Sequence, residues 1–275
     1  GMTSRSPFES FVWQSEIFNC QSNDIDAFYA QLAEEVNRLG LKKNTLGSVD
    51  SFAINLYQSA SQRSDLPSLL ISSGFHGEEA AGPWGMLHFL RGLQPALFER
   101  VNLSLLPLVN PTGFKAGHRF NRFGENPNRG FTLENGKPTP NEHTSLEGKL
   151  LLEHAQLLCA ASRDGILTCH EDVLMNETYV YSFEPTQTPG RFSLGLRDAL
   201  GQYFKLAKDG FIDECPVTDG VIFNHFDTSF EAFLVRSGAK LAACSETPGQ
   251  EDFDRRVQAN SAAMGQFIAH CAPIL

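Results

Sequence analysis

Residue types that bind a metal ion and activate water recur in this chain at meaningful places. His76 and Glu79 lie three apart in His76-Gly-Glu-Glu79, after the apolar run Leu69-Leu-Ile-Ser-Ser and a glycine turn. An imidazole and a carboxylate at that spacing, where a helix begins, can reach one metal ion. A catalytic zinc site typically takes three protein ligands, often two His and one carboxylate, and leaves the fourth position to water. His170, in Leu167-Thr-Cys-His-Glu-Asp172, is the best third ligand, because it ends an apolar strand and two carboxylates follow it. Metal-bound water gives up a proton near neutral pH, and a nearby carboxylate can collect it. Glu246, leaving Leu241-Ala-Ala-Cys-Ser for the turn Thr247-Pro-Gly, is placed to do so. The expected cofactor is one zinc ion on His76, Glu79 and His170, and other divalent ions can bind such a set.

Each residue also has a plainer reading. His76 could be a turn histidine, Glu79 or its neighbour Glu78 a favourable first-turn acid, His170 a core histidine and Glu246 a surface turn acid. Their joint placement argues against those readings. His76, Asn110, His170 and Glu246 each come within a few residues of the end of a predicted strand, and sites in open α/β sheets collect at the carboxyl ends of strands. Asp172 reads as an orienter of a ligand imidazole. Cys169 alternates with His170 and should face away from the metal.

The elements that must position these residues follow an α/β pattern. Apolar spacing predicts a helix over 24–39 with Gly40 as its C-cap, strands over 49–57 and 68–73, and a helix from near Pro83 to about Leu93. A buried strand over 101–109 ends at Asn110-Pro-Thr-Gly. The polar segment 111–145 reads as a long loop, functional or disordered. Helices are expected over 146–162, 191–207 and 253–270, with strands over 165–169, 221–222, 232–235 and 239–244. Alternating strands and helices imply a three-layer α/β/α sandwich around a mixed, mostly parallel sheet. The length fits a single domain spanning 1–275, with Gly1, which precedes Met2, set aside as a tag remnant.

Composition excludes other classes. With 22 basic against 32 acidic residues the net charge is -10, a field that repels nucleic acid. No run approaches the ~18 consecutive apolar residues of a membrane span. Six cysteines without a C-x-x-C pair fit buried thiols in a reduced, cytoplasmic protein rather than a disulfide framework.

The ordered set of motifs resembles the zinc carboxypeptidase (metallocarboxypeptidase) family. His76 and Glu79 match its H-x-x-E, Asn110-Pro-Thr-Gly-Phe114 its N-P-D-G-[FY], Arg119-Phe-Asn-Arg122 its R-x-x-R and Asn128-Arg129 its N-R pair, followed by His170 and Glu246. The resemblance spans roughly residues 50–270. It implies an amide-cleaving hydrolase acting beside a free carboxylate, with Glu246 as general base. By the same resemblance Arg122 polarises the scissile carbonyl, and Asn128 and Arg129 clamp the substrate carboxylate; weighed separately, Arg119 reads as structural. A guanidinium suits that clamp because it can donate two parallel hydrogen bonds to a carboxylate. Glu231, some fifteen residues before Glu246, falls where the family sets side-chain preference, and an acid there would favour a basic or amine-bearing group, such as diaminopimelate in a cell-wall peptide.

Two departures stand out. The family's mobile tyrosine has no counterpart between Tyr203 and Glu246, where the neighbourhood reads Ile222-Phe-Asn-His-Phe226 and His225 is the candidate replacement donor. The segment Glu171–Tyr181 is also unusually acidic for the family. The second choice is the succinylglutamate desuccinylase/aspartoacylase branch of the same fold, which shares H-x-x-E, the N-R pair and a late glutamate. Its usual C-terminal β domain has no counterpart in the thirty or so residues after Glu246, which favours the peptidase side. A third reading, from another class, is a non-catalytic metal- or peptide-binding module. The expected partner is a peptide or acyl-amino-acid carrying a free carboxylate, not nucleic acid or membrane.

Overall fold

The computed structural model describes residues 9–273; Gly1, read as a tag remnant, lies outside them. Its frame is one sheet of eight strands: β1 (Lys42–Val49), β2 (Phe52–Gln58), β3 (Ser68–Ser73), β4 (Asn102–Leu106), β5 (Gly165–Asp172), β6 (Tyr179–Phe183), β7 (Val221–Phe223) and β8 (Ala242–Pro248). They lie in the order β7-β6-β8-β5-β3-β4-β2-β1. The central four, β8, β5, β3 and β4, run parallel. On the flanks, β6 pairs antiparallel with β8, and β2 with β4. At the edges, β7 is parallel to β6 and β1 antiparallel to β2. The expected mixed, mostly parallel sheet is therefore present. Every residue of β3, β5 and β8 is buried, as expected for strands covered on both faces.

The helices are α1 (Ile25–Leu39), α2 (Ala81–Arg91), α3 (Pro111–Ala116), α4 (Leu146–Glu153), α5 (Ala155–Ala161), α6 (Arg191–Gly201), α7 (Phe230–Arg236) and α8 (Phe253–Cys271). Strand alternation divides them into two layers. Leu69 and Ile71 of β3 and Leu167 of β5 pack with Phe28, Trp84, Phe192, Val257 and Phe267 from α1, α2, α6 and α8. Leu70 and Ile166 face the other way, onto Leu151, Leu158, Phe230 and Phe233 from α4, α5 and α7. None of the described helices is long and apolar enough to cross a membrane.

Several expected elements differ. Residues 232–235 are not a strand but part of α7, whose N-cap Ser229 accepts a hydrogen bond from the Ala232 N–H. Phe230 through Leu234 are all buried, so no exposed face marks the helical period. The 111–145 segment contains α3 and a hairpin of Thr132–Glu134 with Lys137–Thr139. The helix expected over 146–162 is interrupted at His154, and the one expected over 191–207 ends at Gly201. Strands β1 and β6 have no counterpart among the sequence expectations.

Candidate functional site

The ligand segment is a turn between β3 and α2. Gly74 takes φ 74°, a left-handed conformation natural to glycine, and the Glu79 N–H donates to the His76 carbonyl at 3.0 Å. A Cβ on Gly77 would drive into the backbone of Gly113, so the two motifs are in direct contact. Asn110 ties them together: its Oδ1 accepts from the Gly113 N–H at 3.0 Å, and its Nδ2 donates to the Phe75 carbonyl at 3.1 Å. The Asn-Pro-Thr-Gly motif is thus a brace for the ligand turn. The helix itself starts only at Ala81, after the turn.

His76, Glu79 and His170 each offer a ligand atom within 4.8 Å of the others, and all three are buried. His76 Nδ1 is 2.7 Å from Glu79 Oε2 and His170 Nδ1 is 3.0 Å from Glu79 Oε1. His76 Nε2 donates to Asn126 Oδ1 at 2.9 Å, which leaves the Nδ1 lone pair directed at the cluster. Burial, assisted by the Arg119 charge, depresses His76 to about 3, so it is neutral and ready to ligate. Burial alone would raise Glu79, but the two imidazoles hold it well below the usual carboxylate range. Burial likewise pushes His170 down, and Glu79, with Glu246 and Glu231 nearby, overrides it and leaves His170 raised. The Glu79 carboxylate thus favours positive charge beside it. One divalent ion among two imidazoles and a carboxylate meets the same demand for positive charge, and the donor set fits it.

Glu246 stands in register opposite His170 on the neighbouring parallel strand. It is buried, its Oε2 has no hydrogen-bond partner, and burial, reinforced by Glu79, raises it to about 8. Both strands open into a cavity of about 60 Å³ lined also by Arg119, Asn128, Arg129, Glu171, Tyr181, His225, Asp227, Glu231 and Cys244. Asn128 is held by the Phe230 N–H, which donates to its Oδ1 at 2.9 Å, and its amide lies 3.4 Å from His170 Nε2. Arg129 donates to the Asn128 carbonyl at 2.7 Å and is 3.7 Å from Asp227. Glu231, in the first turn of α7, has an unpartnered Oε2 and is raised by burial and by the charge of Asp227.

The two arginines lie in different surroundings. Arg122 is outside the cavity, with a side chain 60% exposed and ion-paired with Asp50. Arg119 lines the cavity, 3.4 Å from Glu78 and 3.5 Å from Glu79. Asn121 is the cause. Its buried side chain donates to Glu125 and Glu147, and its Oδ1 accepts from the Phe123 and Glu125 N–H groups. That inward anchor turns Arg122 toward solvent. Asp172 does not orient a ligand imidazole either: it accepts from the Tyr179 hydroxyl at 2.7 Å and the Leu174 N–H. Cys169 faces away, in the core beneath α2 and α8, as strand alternation requires.

Residues that the sequence reading missed are Asn126, Asp227 and Tyr181. Tyr181 enters the cavity from β6, where it is in register with Cys244, and its ring centroid is 6.5 Å from that of His225. The alternation Tyr179-Val-Tyr181 is the signal that could have revealed it. Among the described residues, Tyr181 and His225 are the aromatic donors that line this cavity besides the two ligand histidines.

Residues 65–166 match the succinylglutamate desuccinylase/aspartoacylase catalytic domain, a span that includes His76, Glu79, Arg119, Asn128 and Arg129. No curated protein matches the chain significantly. A Shewanella denitrificans structure described as a "putative metallopeptidase" is 96% identical, covers 99% of this chain and 100% of its own, and superposes with a TM-score of 0.94. A Shewanella baltica structure of the same description is 70% identical, with coverages of 98% and 100% and a TM-score of 0.97. At 15% identity, a metallo-carboxypeptidase from Burkholderia cenocepacia shares the fold, with a TM-score of 0.64 over 89% of this chain and 68% of its own. The chain therefore belongs to the same family as the two Shewanella proteins and has the carboxypeptidase fold.

Proposed function

We propose that the chain is a zinc-dependent hydrolase of the carboxypeptidase type, cleaving an amide bond next to a free carboxylate. The observation that carries this is the convergence of the His76–Glu79–His170 cluster and its register partner Glu246 in one cavity with Asn128 and Arg129. When bound, the ion supplies a Lewis acid and an acidified water. Glu246, through its unpartnered oxygen, takes the proton of the attacking water and delivers it to the departing amine nitrogen. Burial that raises its pKa suits this exchange, because a base works best when its pKa lies near the working pH. Arg119, 3.5 Å from the ligand carboxylate of Glu79, is the cation assigned to the negative charge that develops on the scissile oxygen. Such donors typically contribute about 3 kcal/mol. Asn128 and Arg129 receive the substrate carboxylate.

Three further acids line the cavity, Glu171, Asp227 and Glu231, and of these Glu171 is ion-paired with Arg256. The unpartnered oxygen of Glu231 supports a substrate whose side chain carries an amine or guanidine. A panel of peptides differing only in the terminal residue tests this. Basic or amine-bearing termini should be cleaved fastest, and Glu231→Gln should remove the preference; a panel best cleaved at acidic termini would refute it.

The second reading, an N-acyl-amino-acid deacylase, is favoured by the match over residues 65–166. Asp227 and Glu231 count against N-acyl aspartate and glutamate as its substrates, because a second substrate carboxylate would meet like charge. Assaying those compounds beside C-terminal peptides separates the two: turnover of the acyl compounds alone would replace the first reading. A cytoplasmic setting, with a small carboxylate-bearing substrate as partner, belongs to the same proposal, and the setting is supported by six free cysteines.

A further inference from the structure

Beneath the metal cluster lies an ion pair with no place in the chemistry above. Arg256 of α8 donates from Nη1 to Glu171 Oε1 at 2.7 Å, and both side chains are fully buried. Arg256 is fixed on its other sides, by Nε donating to the Glu251 carbonyl at 2.9 Å and by the Trp13 ring 4.4 Å away. A buried ion pair gives up desolvation energy that a volume-matched apolar pair would not, so holding α8 on the sheet does not explain it.

Glu171 explains it through what it grips. It follows His170 on β5, and its own N–H donates to Glu79 Oε1 at 2.9 Å. Its side-chain Oε2 accepts from the Ala81 N–H at 3.0 Å, at the start of a helix whose N-cap residue, Ala80, provides no side-chain cap. One residue thus holds the chain on both sides of Ala80: the ligand carboxylate before it and the helix start after it. Its Oε1 also accepts from Thr247 Oγ1 at 3.0 Å. Thr247 follows Glu246 on β8 and accepts in turn from Asn260 Nδ2 at 3.3 Å. The strand of the third ligand, the strand of the base and the turn carrying the other two ligands therefore meet at one carboxylate, which Arg256 neutralises and aims.

We propose that Arg256 and Glu171 are a positioning pair, which sets the orientation of the Glu79 carboxylate and its place relative to Glu246. This rests on the metal reading of the site. Glu171 lines the cavity, but both of its carboxylate oxygens are engaged, by Arg256, Thr247 and the Ala81 N–H, so the effect of the pair should appear first in metal affinity.

The test is titration of metal-stripped protein with zinc alone, in competition with a chromophoric chelator. The parent would be compared with Arg256→Lys and with the double variant Glu171→Met/Arg256→Met, and thermal melts of each metal-free form recorded. Zinc affinity should fall about tenfold or more in the double variant, the range typical of lost outer-sphere partners, while its melting temperature holds or rises. Arg256→Lys keeps the charge without the guanidinium fork, and it should retain the fold and fall between the two. If both variants bind zinc within twofold of the parent, the positioning role is overturned. A parent that takes up no zinc would instead overturn the metal reading itself.

Discussion

Replacing Glu246 with Gln separates the two consequences of its burial. In the metal-free protein its carboxyl is held at about 8, against an ordinary 4.5, chiefly because burial penalises the charged form. Between those values the folded chain keeps a proton that the unfolded chain has released. The unfolded state therefore binds fewer protons, and the free energy of unfolding falls as pH rises. At about 1.4 kcal/mol per pH unit, the full window corresponds to about 5 kcal/mol. Relaxation and water entry reduce this, so a loss of about 2–4 kcal/mol between pH 5 and pH 8 is expected. Glu231 and His170 are also raised and act in the same direction, whereas His76, depressed from 6.5 to about 3, acts oppositely below pH 6.5, so the net fall is clearest from pH 6.5 to pH 8. Gln cannot ionise, so Glu246→Gln should flatten the profile without abolishing it, and should make the metal-free protein more stable than the parent at pH 8. Urea unfolding at pH 5, 6, 7 and 8 measures this directly. The same variant should still take up zinc and should lose about 10²–10⁴-fold in kcat, the range for a general base. A parent profile that rises between pH 6.5 and pH 8, or a Gln variant with parental kcat, would refute the reasoning.

The different placement of Arg119 and Arg122 has a clear signature. Arg119→Met should lower kcat/KM by at least about 10²-fold, as for loss of a donor to a developing oxyanion, whereas Arg122→Met should leave it within about twofold, because an exposed pair such as that with Asp50 contributes at most about 1 kcal/mol. Steady-state kinetics on one peptide decides between them. Gly77→Ala should destabilise the protein by about 3 kcal/mol or more, the scale of severe backbone clashes, since its Cβ would meet the Gly113 backbone; a melting temperature within two degrees of the parent would show that the ligand turn can move.

The parts of the site that could be read from sequence are those fixed by local pattern. His76 and Glu79 share one turn, and His170 and Glu246 each sit at the carboxyl end of an apolar strand, so residue type and strand position locate all four. Arg119 and Arg122 could not be told apart that way. They lie on irregular chain, where no period says which way a side chain points, and the direction is set by Asn121 bonding to Glu125 and Glu147. The sheet was legible where strands are buried on both faces, as in β3 and β5. Strand β1 was not, since its first four residues, Lys42 to Thr45, are all exposed. Helix α7 reads as a strand for the opposite reason: with Phe230 to Leu234 buried together, helical and extended periods look alike. Tyr181 was not legible because its strand, Tyr179–Phe183, is only five residues long and almost wholly buried, so beyond Tyr179-Val-Tyr181 it shows little alternation.

The most direct measurement of the central claim is the metal content and zinc titration of the purified chain, alongside a His76→Ala/His170→Ala variant. One equivalent of zinc per chain, bound by the parent and lost by the variant while the far-ultraviolet dichroism stays unchanged, is the predicted result. A parent that binds no stoichiometric divalent ion, or a variant that binds as tightly as the parent, would contradict the account.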